Sequence, residues 1–299
     1  MFEVTEETAS AAVANRGADD PYVIISRHAP NLAAVGGAYV GITETVAGHE
    51  RSFNRWYEDD HFYSGAMSGP WILAGKRWLA TAALRKTWLP ADSPLITPGG
   101  QGCFLKAYWF AHGHEDDAQT WMRETYKILM TPERFPTMPM RDIAEPRVRR
   151  NSVYSSFQRH LFTCLADPGD PLRELHALDY PFGGLALDII RSRNPVSDLA
   201  TRLKSDVADT LVVDADSCKI AVAFERARDE WLTAAGRAGD GEVAVFWFFV
   251  TPPSSAGYAP LLTSFHEKVI DADADLVLSA SFIPTIPGTD AYIEEMRAF

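Results

Sequence analysis

The chain has 299 residues, of which 46% are hydrophobic, and its formal net charge is −12 at pH 7. This length can bury a large core and favours two structural units. The acidic balance argues against nucleic acid and anionic membranes as partners, because phosphate groups are bound by clustered Lys and Arg.

The N-terminus and the cysteines bear on the compartment. The first residues are acidic where a signal peptide is basic and then apolar, and no apolar run approaches the roughly 20 residues of a membrane span. Cys103, Cys164 and Cys218 are widely spaced and form no CxxC. An odd, sparse set of cysteines argues against a disulfide framework. The sequence therefore predicts a cytoplasmic protein.

The predicted elements, in chain order, repeat one pattern. Residues 1–35 are predicted to be an N-terminal extension. Residues 36–166 show the order β-α-β-β-α-β, which is the ferredoxin-like unit. Its elements are predicted at 37–46, 50–61, 71–84, 103–112, 114–130 and 151–165, with a loop at 131–150 before the last strand. After a polar, proline-containing link, the same order returns over 183–299. We therefore predict an α+β fold of tandem ferredoxin-like units.

The helix predicted at 50–61 carries the most distinctive residues of the chain. Phe53, Trp56 and Tyr57 share one stripe, because residues three and four apart are neighbours on a helix. His61 lies four residues beyond Tyr57 and extends that stripe. The pair forms an acid/base couple in an apolar wall. The structural alternative is an ordinary amphipathic helix with His61 near its C-terminal end, where a cation suits the helix dipole.

This stretch also carries a family resemblance. The motif Trp56-Tyr57-x-x-x-His61, followed on the next strand by Lys76-Arg77-Trp78, resembles the EthD-like branch of the dimeric α/β-barrel superfamily. Phe62-Tyr63 stands where that branch often has Leu-Pro. The resemblance implies that two ferredoxin-like sheets pair into a barrel, with ligands bound between a sheet and its helices. The pairing is either between the two halves of this chain or with a second chain, as in a homodimer.

The strand predicted at 103–112 supplies further candidate site residues. Lys106, Tyr108, Phe110 and His112 fall on one face because successive side chains of a strand alternate. With Tyr39 on the first strand, they are predicted to line a pocket for a small hydrophobic or aromatic molecule. The structural alternative is that Tyr108 only packs, that Lys106 extends its amine to water, and that His112 ends the strand.

Cofactor and metal signatures are sparse. The sequence contains no G-x-G-x-x-G after a strand, no Walker loop, no G-x-S-x-G and no H-E-x-x-H. His112-x-His114 lacks a third histidine at matching spacing, so we expect no metal site. We likewise expect no cofactor. Haem stays open as an alternative through His266 on the last helix, because haem-binding relatives of the superfamily use a histidine on a different helix. The structural alternative for His266 is a surface position.

Three functional hypotheses follow. The first is a cofactor-independent lyase, such as a decarboxylase, or an isomerase or cyclase, acting in the catabolism of aromatic compounds. In it His61 moves a proton, Tyr57 orients the substrate or acts as a second acid, and Trp56 lines the pocket. Arg77 is the candidate clamp for a carboxylate or enolate. The second is a non-catalytic ligand-binding or stress-type protein, and the third is a cofactorless or haem-dependent oxygenase.

Overall fold

The computed structural model describes residues 11, 14–20, 23–24, 33–96, 101–129, 150–213, 217–227, 241–253, 258–270 and 274–297. Most of the predicted extension at 1–35, and all but the last residue of the predicted loop at 131–150, lie outside these residues. Within the part of the chain that is described, no helix is both long enough and apolar enough to cross a membrane.

Eight strands and five α-helices make up the described regular structure. The strands are β1 (Val35–Thr45), β2 (Ile72–Leu79), β3 (Phe104–Ala111), β4 (Arg150–Leu165), β5 (Gly184–Ser192), β6 (Cys218–Arg226), β7 (Glu242–Phe249) and β8 (Ala274–Pro284). The helices are α1 (Glu50–Trp56), α2 (Ala82–Arg85), α3 (Glu115–Leu129), α4 (Val196–Val213) and α5 (Tyr258–Val269). Two π-helical segments, Tyr57–His61 and Tyr63–Met67, continue α1.

The strands close into one antiparallel barrel with the order β1-β3-β2-β8-β5-β7-β6-β4. Strands β4-β1-β3-β2 are neighbours in the first half, and β8-β5-β7-β6 repeat this arrangement in the second. Each half is thus a ferredoxin-like sheet, and the predicted α+β fold class is confirmed. The seams are the β2–β8 and β4–β6 pairs. The two halves of this chain therefore pair with each other, so a second chain is not needed to close the barrel.

Large apolar side chains fill the barrel interior. Along β3, Leu105, Ala107 and Trp109 point inward, which is the alternation that a pleated strand imposes. They meet aromatic residues of the second half, including Phe224, Phe246, Phe248 and Phe282. By the same alternation, the polar residues of β3 face outward, toward the helices that cover the sheet.

Three predicted element boundaries are wrong. The strand predicted at 71–84 ends at Leu79, because the Thr81 hydroxyl caps α2 by accepting a hydrogen bond from the Leu84 N–H at 3.3 Å. The helix predicted to end at His61 continues to Met67 as π-helix. The first helix of the second half, predicted at 195–207, extends to Val213, and its added turn buries Leu211 against the sheet.

Candidate functional site

The π-helical segments set the geometry of the helix that carries His61. The Phe62 N–H donates to the Tyr57 carbonyl, five residues back, which gives a wider turn than an α-helix. Tyr57, His61 and Gly65 follow one another on the side that faces the first-half sheet. A Cβ atom at Gly65 would lie only 2.8 Å from His61 Cε1. The glycine therefore lets the imidazole lie directly against the helix backbone.

A small cavity lies between the first-half sheet and its two helices. It measures about 80 Å³. Because a water molecule occupies roughly 30 Å³ in the liquid, the space holds two or three waters, or the reacting end of a larger molecule. Its walls come from β1, β3, β4, the His61 helix and α3. They comprise Tyr39, Tyr57, His61, Gly65, Ala66, Lys106, Tyr108, Met122, Tyr126, Arg150, Ser152 and Phe157.

Two aromatic rings hold the His61 imidazole in place. The Trp56 ring stacks on it with centroids 4.6 Å apart and an interplanar angle of 16°. The Tyr57 ring meets it edge-on at 5.1 Å and 86°. Trp56 thus supports the histidine from behind and does not line the cavity itself. The arrangement fixes the orientation of the imidazole before any ligand binds.

Tyr57 and Tyr108 form a hydrogen-bonded pair of hydroxyls 2.9 Å apart. Burial raises the pKa of Tyr57. Burial, followed by the contact with Tyr57, raises the pKa of Tyr108 well above its ordinary value. Both groups therefore stay protonated near neutral pH. Since one hydroxyl donates to the other, the second keeps a proton that it can donate to a ligand oxygen.

Lys106 contributes a half-buried amine to the same wall. Its Nζ donates to Thr43 Oγ1 at 2.9 Å. Burial, followed by the nearby positive charges of Arg150 and Arg77, lowers the pKa of Lys106 well below its usual value. Tyr39 completes the polar lining, and its hydroxyl donates to Ser155 Oγ at 3.2 Å. The cavity therefore combines an imidazole, an amine and several phenols.

Arg77, the predicted clamp, lies outside this cavity. It occupies the opposite side of the Tyr57 ring, with Cζ 4.6 Å from the ring centroid. Its Nη1 donates to Asn54 Oδ1 at 3.1 Å and lies 3.6 Å from Glu58 Oε1. Arg77 therefore binds polar side chains of the helix that carries His61 and is not part of the cavity wall. Arg77 instead lines a separate cleft of about 470 Å³, together with Lys76, Phe62 and Phe182.

Two other predicted lining residues are also absent from the cavity wall. Phe110 is fully buried beside Trp71 and Ala118, deeper in the layer between the sheet and α3. His112 is mostly exposed, and its Nδ1 lies 3.5 Å from Glu115 Oε1. The structure therefore brings His61, Tyr57, Lys106, Tyr108 and Tyr39 together, and leaves Phe110 and His112 apart from them.

The histidine pair considered for metal binding has local partners. His114 stacks on Trp71 at 3.6 Å, and its Nδ1 lies 2.9 Å from Asp117 Oδ2. Over the ranges of the chain that the structure describes, no three His, Cys, Asp or Glu side chains are grouped so that they could hold a metal ion.

His266 was considered as a haem ligand or, alternatively, as a surface residue, and the surface position is wrong. It is buried, with its Nε2 3.2 Å from Asp188 Oδ1. Burial opposes protonation, but the charge of Asp188 and its hydrogen bond outweigh it and raise the pKa of His266. Trp247 and Phe265 pack in the same layer. Described side chains fill this region, so it does not fit a haem group. The sequence analysis overlooked Asp188, the one carboxylate in the otherwise apolar first part of β5.

Sequence reasoning also missed several lining residues of the His61 cavity. Ser152 and Phe157 of β4 both face the cavity. Strict alternation would place these two residues, five positions apart, on opposite faces of the strand. A register shift opposite Ile42 and Thr43 places an extra residue in β4 between Ser152 and Tyr154. Such a bulge breaks strict alternation. No pattern in the β4 sequence marks its position, so simple alternation cannot assign both residues to one face.

Comparisons with known proteins give matches in structure only. No protein-family model matches the chain, and no curated protein matches its sequence. An anthrone oxidase-like protein is similar at 9% identity and a TM-score of 0.48, over 85% of this chain and 94% of that one. A dye-decolorizing peroxidase from Bacteroides thetaiotaomicron VPI-5482 gives 10% and 0.47, over 88% and 96%. The encapsulated DyP-type peroxidase from Mycobacterium smegmatis gives 12% and 0.44, over 86% and 95%.

The strand order defines the structural class without reference to these proteins. Two β-α-β-β-α-β sheets close into one barrel and carry their helices on the outside. This is the dimeric α/β-barrel architecture, with both ferredoxin-like units in a single chain.

Proposed function

We propose that the chain is a cofactor-independent enzyme that moves a proton on a small substrate, as a lyase such as a decarboxylase, or as an isomerase or cyclase. The observation that carries the proposal is the convergence of His61, Tyr57, Tyr108 and Lys106 on one cavity. These residues come from one helix and one strand of the same half.

His61 is the general base of the proposed reaction. Histidine has an ordinary pKa near neutrality, so it exchanges protons at working pH without strong tuning. Its ring is fixed by Trp56 and lies in the cavity wall. A C–H bond next to a substrate carbonyl, placed in the cavity, would therefore face an oriented imidazole. Positioned acid–base groups of this kind contribute roughly 10²–10⁴-fold to rate.

The Tyr57–Tyr108 pair supplies hydrogen bonds to the oxygen that becomes negative. Removing a proton next to a carbonyl forms an enolate, and preorganised donors stabilise that charge. Both tyrosines keep their protons because burial raises their pKa values. The hydrogen bond between them orients the free hydroxyl before the substrate arrives. The pair thereby takes over the oxyanion role that was first assigned to Arg77.

The same motif supports placing the chain in the EthD-like branch. Within the W-Y-x-x-x-H motif, the structure puts Tyr57 and His61 in the cavity wall and Trp56 behind the imidazole. The residues that replace Leu-Pro diverge in position. Phe62 packs on Tyr108 with centroids 5.7 Å apart, while Tyr63 is exposed. Phe62 and Tyr63 line the cleft beside Arg77 and not the His61 cavity.

A non-catalytic ligand-binding protein is the second candidate function. The cleft of about 470 Å³ favours it, because this cleft falls within the usual size range of ligand pockets and none of the described residues that line it is a histidine. Its wall combines Phe62, Phe182 and several prolines with Lys76 and Arg77. Binding there does not require His61, so the two candidates separate experimentally.

The test uses proton exchange in D₂O. We would incubate the protein with a panel of small ketones, β-keto acids and phenols and follow incorporation of deuterium by NMR, with oxygen uptake recorded in parallel to detect oxygenase chemistry. We expect exchange with at least one compound, and a fall of roughly 10²–10⁴-fold in His61→Asn. His112→Asn, in an exposed histidine, is the matched control and should exchange at the wild-type rate. Equal rates for wild type and His61→Asn across the panel would reject the proposal.

A further inference from the structure

Lys106 is half-buried in the cavity wall. It lies on β3 opposite Gly41 of β1. A Cβ atom at Gly41 would come within 2.5 Å of Lys106 Cε, so the glycine provides the space in which the side chain lies. The Nζ atom donates to the neutral hydroxyl of Thr43. It also lies 5.5 Å from the centroid of the Tyr57 ring, beside the tyrosine pair.

The described residues that line the cavity supply no negative charge to compensate an ammonium ion at Lys106. Among the described residues that line the cavity there is no carboxylate, and the other permanent charge is the positive one of Arg150. A buried cation without a counter-ion is costly, so such a group loses its proton instead. In agreement, burial followed by the charges of Arg150 and Arg77 lowers the pKa of Lys106 well below its usual value. The side chain therefore gives up its proton more readily than an ordinary lysine does.

A desolvated amine next to another cation is an activated nucleophile for carbonyl carbon. We propose that Lys106 forms an imine with a small aldehyde or ketone, and that a 2-oxo acid, whose carboxylate suits Arg150, is the preferred substrate class. This proposal rests on the proposed function and narrows it to carbonyl substrates. A 2-oxo acid of a few heavy atoms also suits a cavity of about 80 Å³.

The chemistry balances without an oxidant or a reductant. The Lys106 nitrogen attacks the carbonyl carbon, and a proton passes from nitrogen to the carbonyl oxygen to give a carbinolamine. A second proton, relayed from water through the hydroxyls of the tyrosine pair or supplied by protonated His61, lets that oxygen leave as water while the C=N bond forms. The protonated imine then withdraws electrons from the neighbouring carbon. Its C–H bond becomes more acidic, which makes the proton transfer to His61 easier.

Reductive trapping tests the inference. Wild-type protein would be incubated near neutral pH with pyruvate and sodium cyanoborohydride, and labelled lysines located by peptide mass spectrometry. The chain has six other lysines. Since each unit of lowered pKa raises the neutral fraction about tenfold, we expect at least about tenfold more label on Lys106 than on the average of the others. The wild-type distribution alone decides the question, so no variant has to fold for the test to be read.

Two variants sharpen the test. Lys106→Arg should lose the dominant label. Lys76→Arg should keep it, and Lys76 is the strictest internal control because burial also lowers its pKa.

Label spread evenly over the lysines, or absent from Lys106, would overturn the imine while leaving His61-dependent exchange intact. His61→Asn should retain the label on Lys106 but lose deuterium exchange. Labelling of Lys106 in a wild-type protein that shows no exchange would support the imine and contradict the proposed proton transfer.

Discussion

The two halves of the chain share one topology but differ in how polar side chains are arranged between the sheet and its helices. In the second half, the layer between sheet and helices is a packed apolar cluster, and its polar groups Asp188, His266 and Trp247 bind one another. In the first half, the corresponding layer holds His61, Lys106 and the tyrosines around a cavity. The fold therefore does not by itself require a cavity between a sheet and its helices. The first-half cavity arises from particular residues, among them the glycines that make room for His61 and Lys106.

The largest expected effect comes from breaking the second-half pair. Asp188 is fully buried and accepts a hydrogen bond from Trp247 Nε1 at 2.9 Å. Asp188→Ala leaves His266 and the indole N–H without this partner, so we expect a loss of about 3–5 kcal/mol in the free energy of unfolding, measured in urea. Asp209→Ala, at an exposed position of α4, is the matched control. A loss below about 1 kcal/mol for Asp188→Ala would show that the pair is not an essential part of the packed layer.

The same pair gives a smaller, pH-dependent effect. Because the folded-state pKa of His266 is raised, its contribution to stability is fully present below the ordinary pKa of about 6.5. It is lost as the pH rises through the raised value. We therefore expect the stability difference between wild type and His266→Gln to shrink as the pH rises above about 6.5. Urea unfolding of both proteins over a pH series measures it, and a difference that grows with pH would contradict the assignment.

Gly65→Ala tests whether the first-half cavity depends on the backbone contact of His61. The added methyl group would overlap the imidazole, so the ring must turn away from its present position. We expect a fall of about tenfold or more in deuterium exchange, equal to about 1.4 kcal/mol in transition-state stabilisation, with the protein still folded. Gly169→Ala, in an exposed loop, serves as the control. Unchanged exchange in Gly65→Ala would mean that the position of the ring is not set by this glycine.

Tyr57→Phe gives the smallest expected effect on stability. The change removes one hydroxyl of the buried pair and keeps the ring, so we expect a loss of about 0.5–1.5 kcal/mol in the free energy of unfolding. Exchange activity should fall more than stability, because the hydrogen-bond donor to the substrate oxygen is disturbed. Thermal unfolding and NMR exchange on the same samples provide the comparison. A variant that loses stability but keeps full exchange would remove the tyrosine pair from the reaction.

The sequence predicted the fold more completely than the candidate site. Element order alone indicated the tandem ferredoxin-like architecture, since period-two and helical patterns are local. The spacing of Tyr57 and His61 likewise predicted that the two residues share a face. The division into 36–166 and 183–299 stays a prediction, and separate expression of the halves would test it. Because β2 pairs with β8 and β4 with β6, we expect neither half to be stable alone.

The features that the sequence did not predict depend on contacts between segments that are far apart along the chain. Arg77 lies opposite Lys106 in the sheet, yet it binds Asn54 and Glu58 and is not part of the cavity wall. The buried pairing of His266 with Asp188 joins residues far apart in sequence, and no local pattern announces it. The π-helical extension beyond His61 and the bulge in β4 are likewise set by tertiary packing.

The most direct test of the account is a crystal structure of the chain with the ketone that exchanges fastest in D₂O. We expect the ligand in the first-half cavity, with its carbonyl oxygen about 2.6–3.2 Å from the hydroxyl of Tyr57 or Tyr108 and its exchanging carbon facing His61. If Lys106 has reacted, the carbonyl carbon should instead be bonded to Nζ beside the same groups. A ligand bound only in the 470 Å³ cleft beside Arg77, with none in the His61 cavity, would contradict the account.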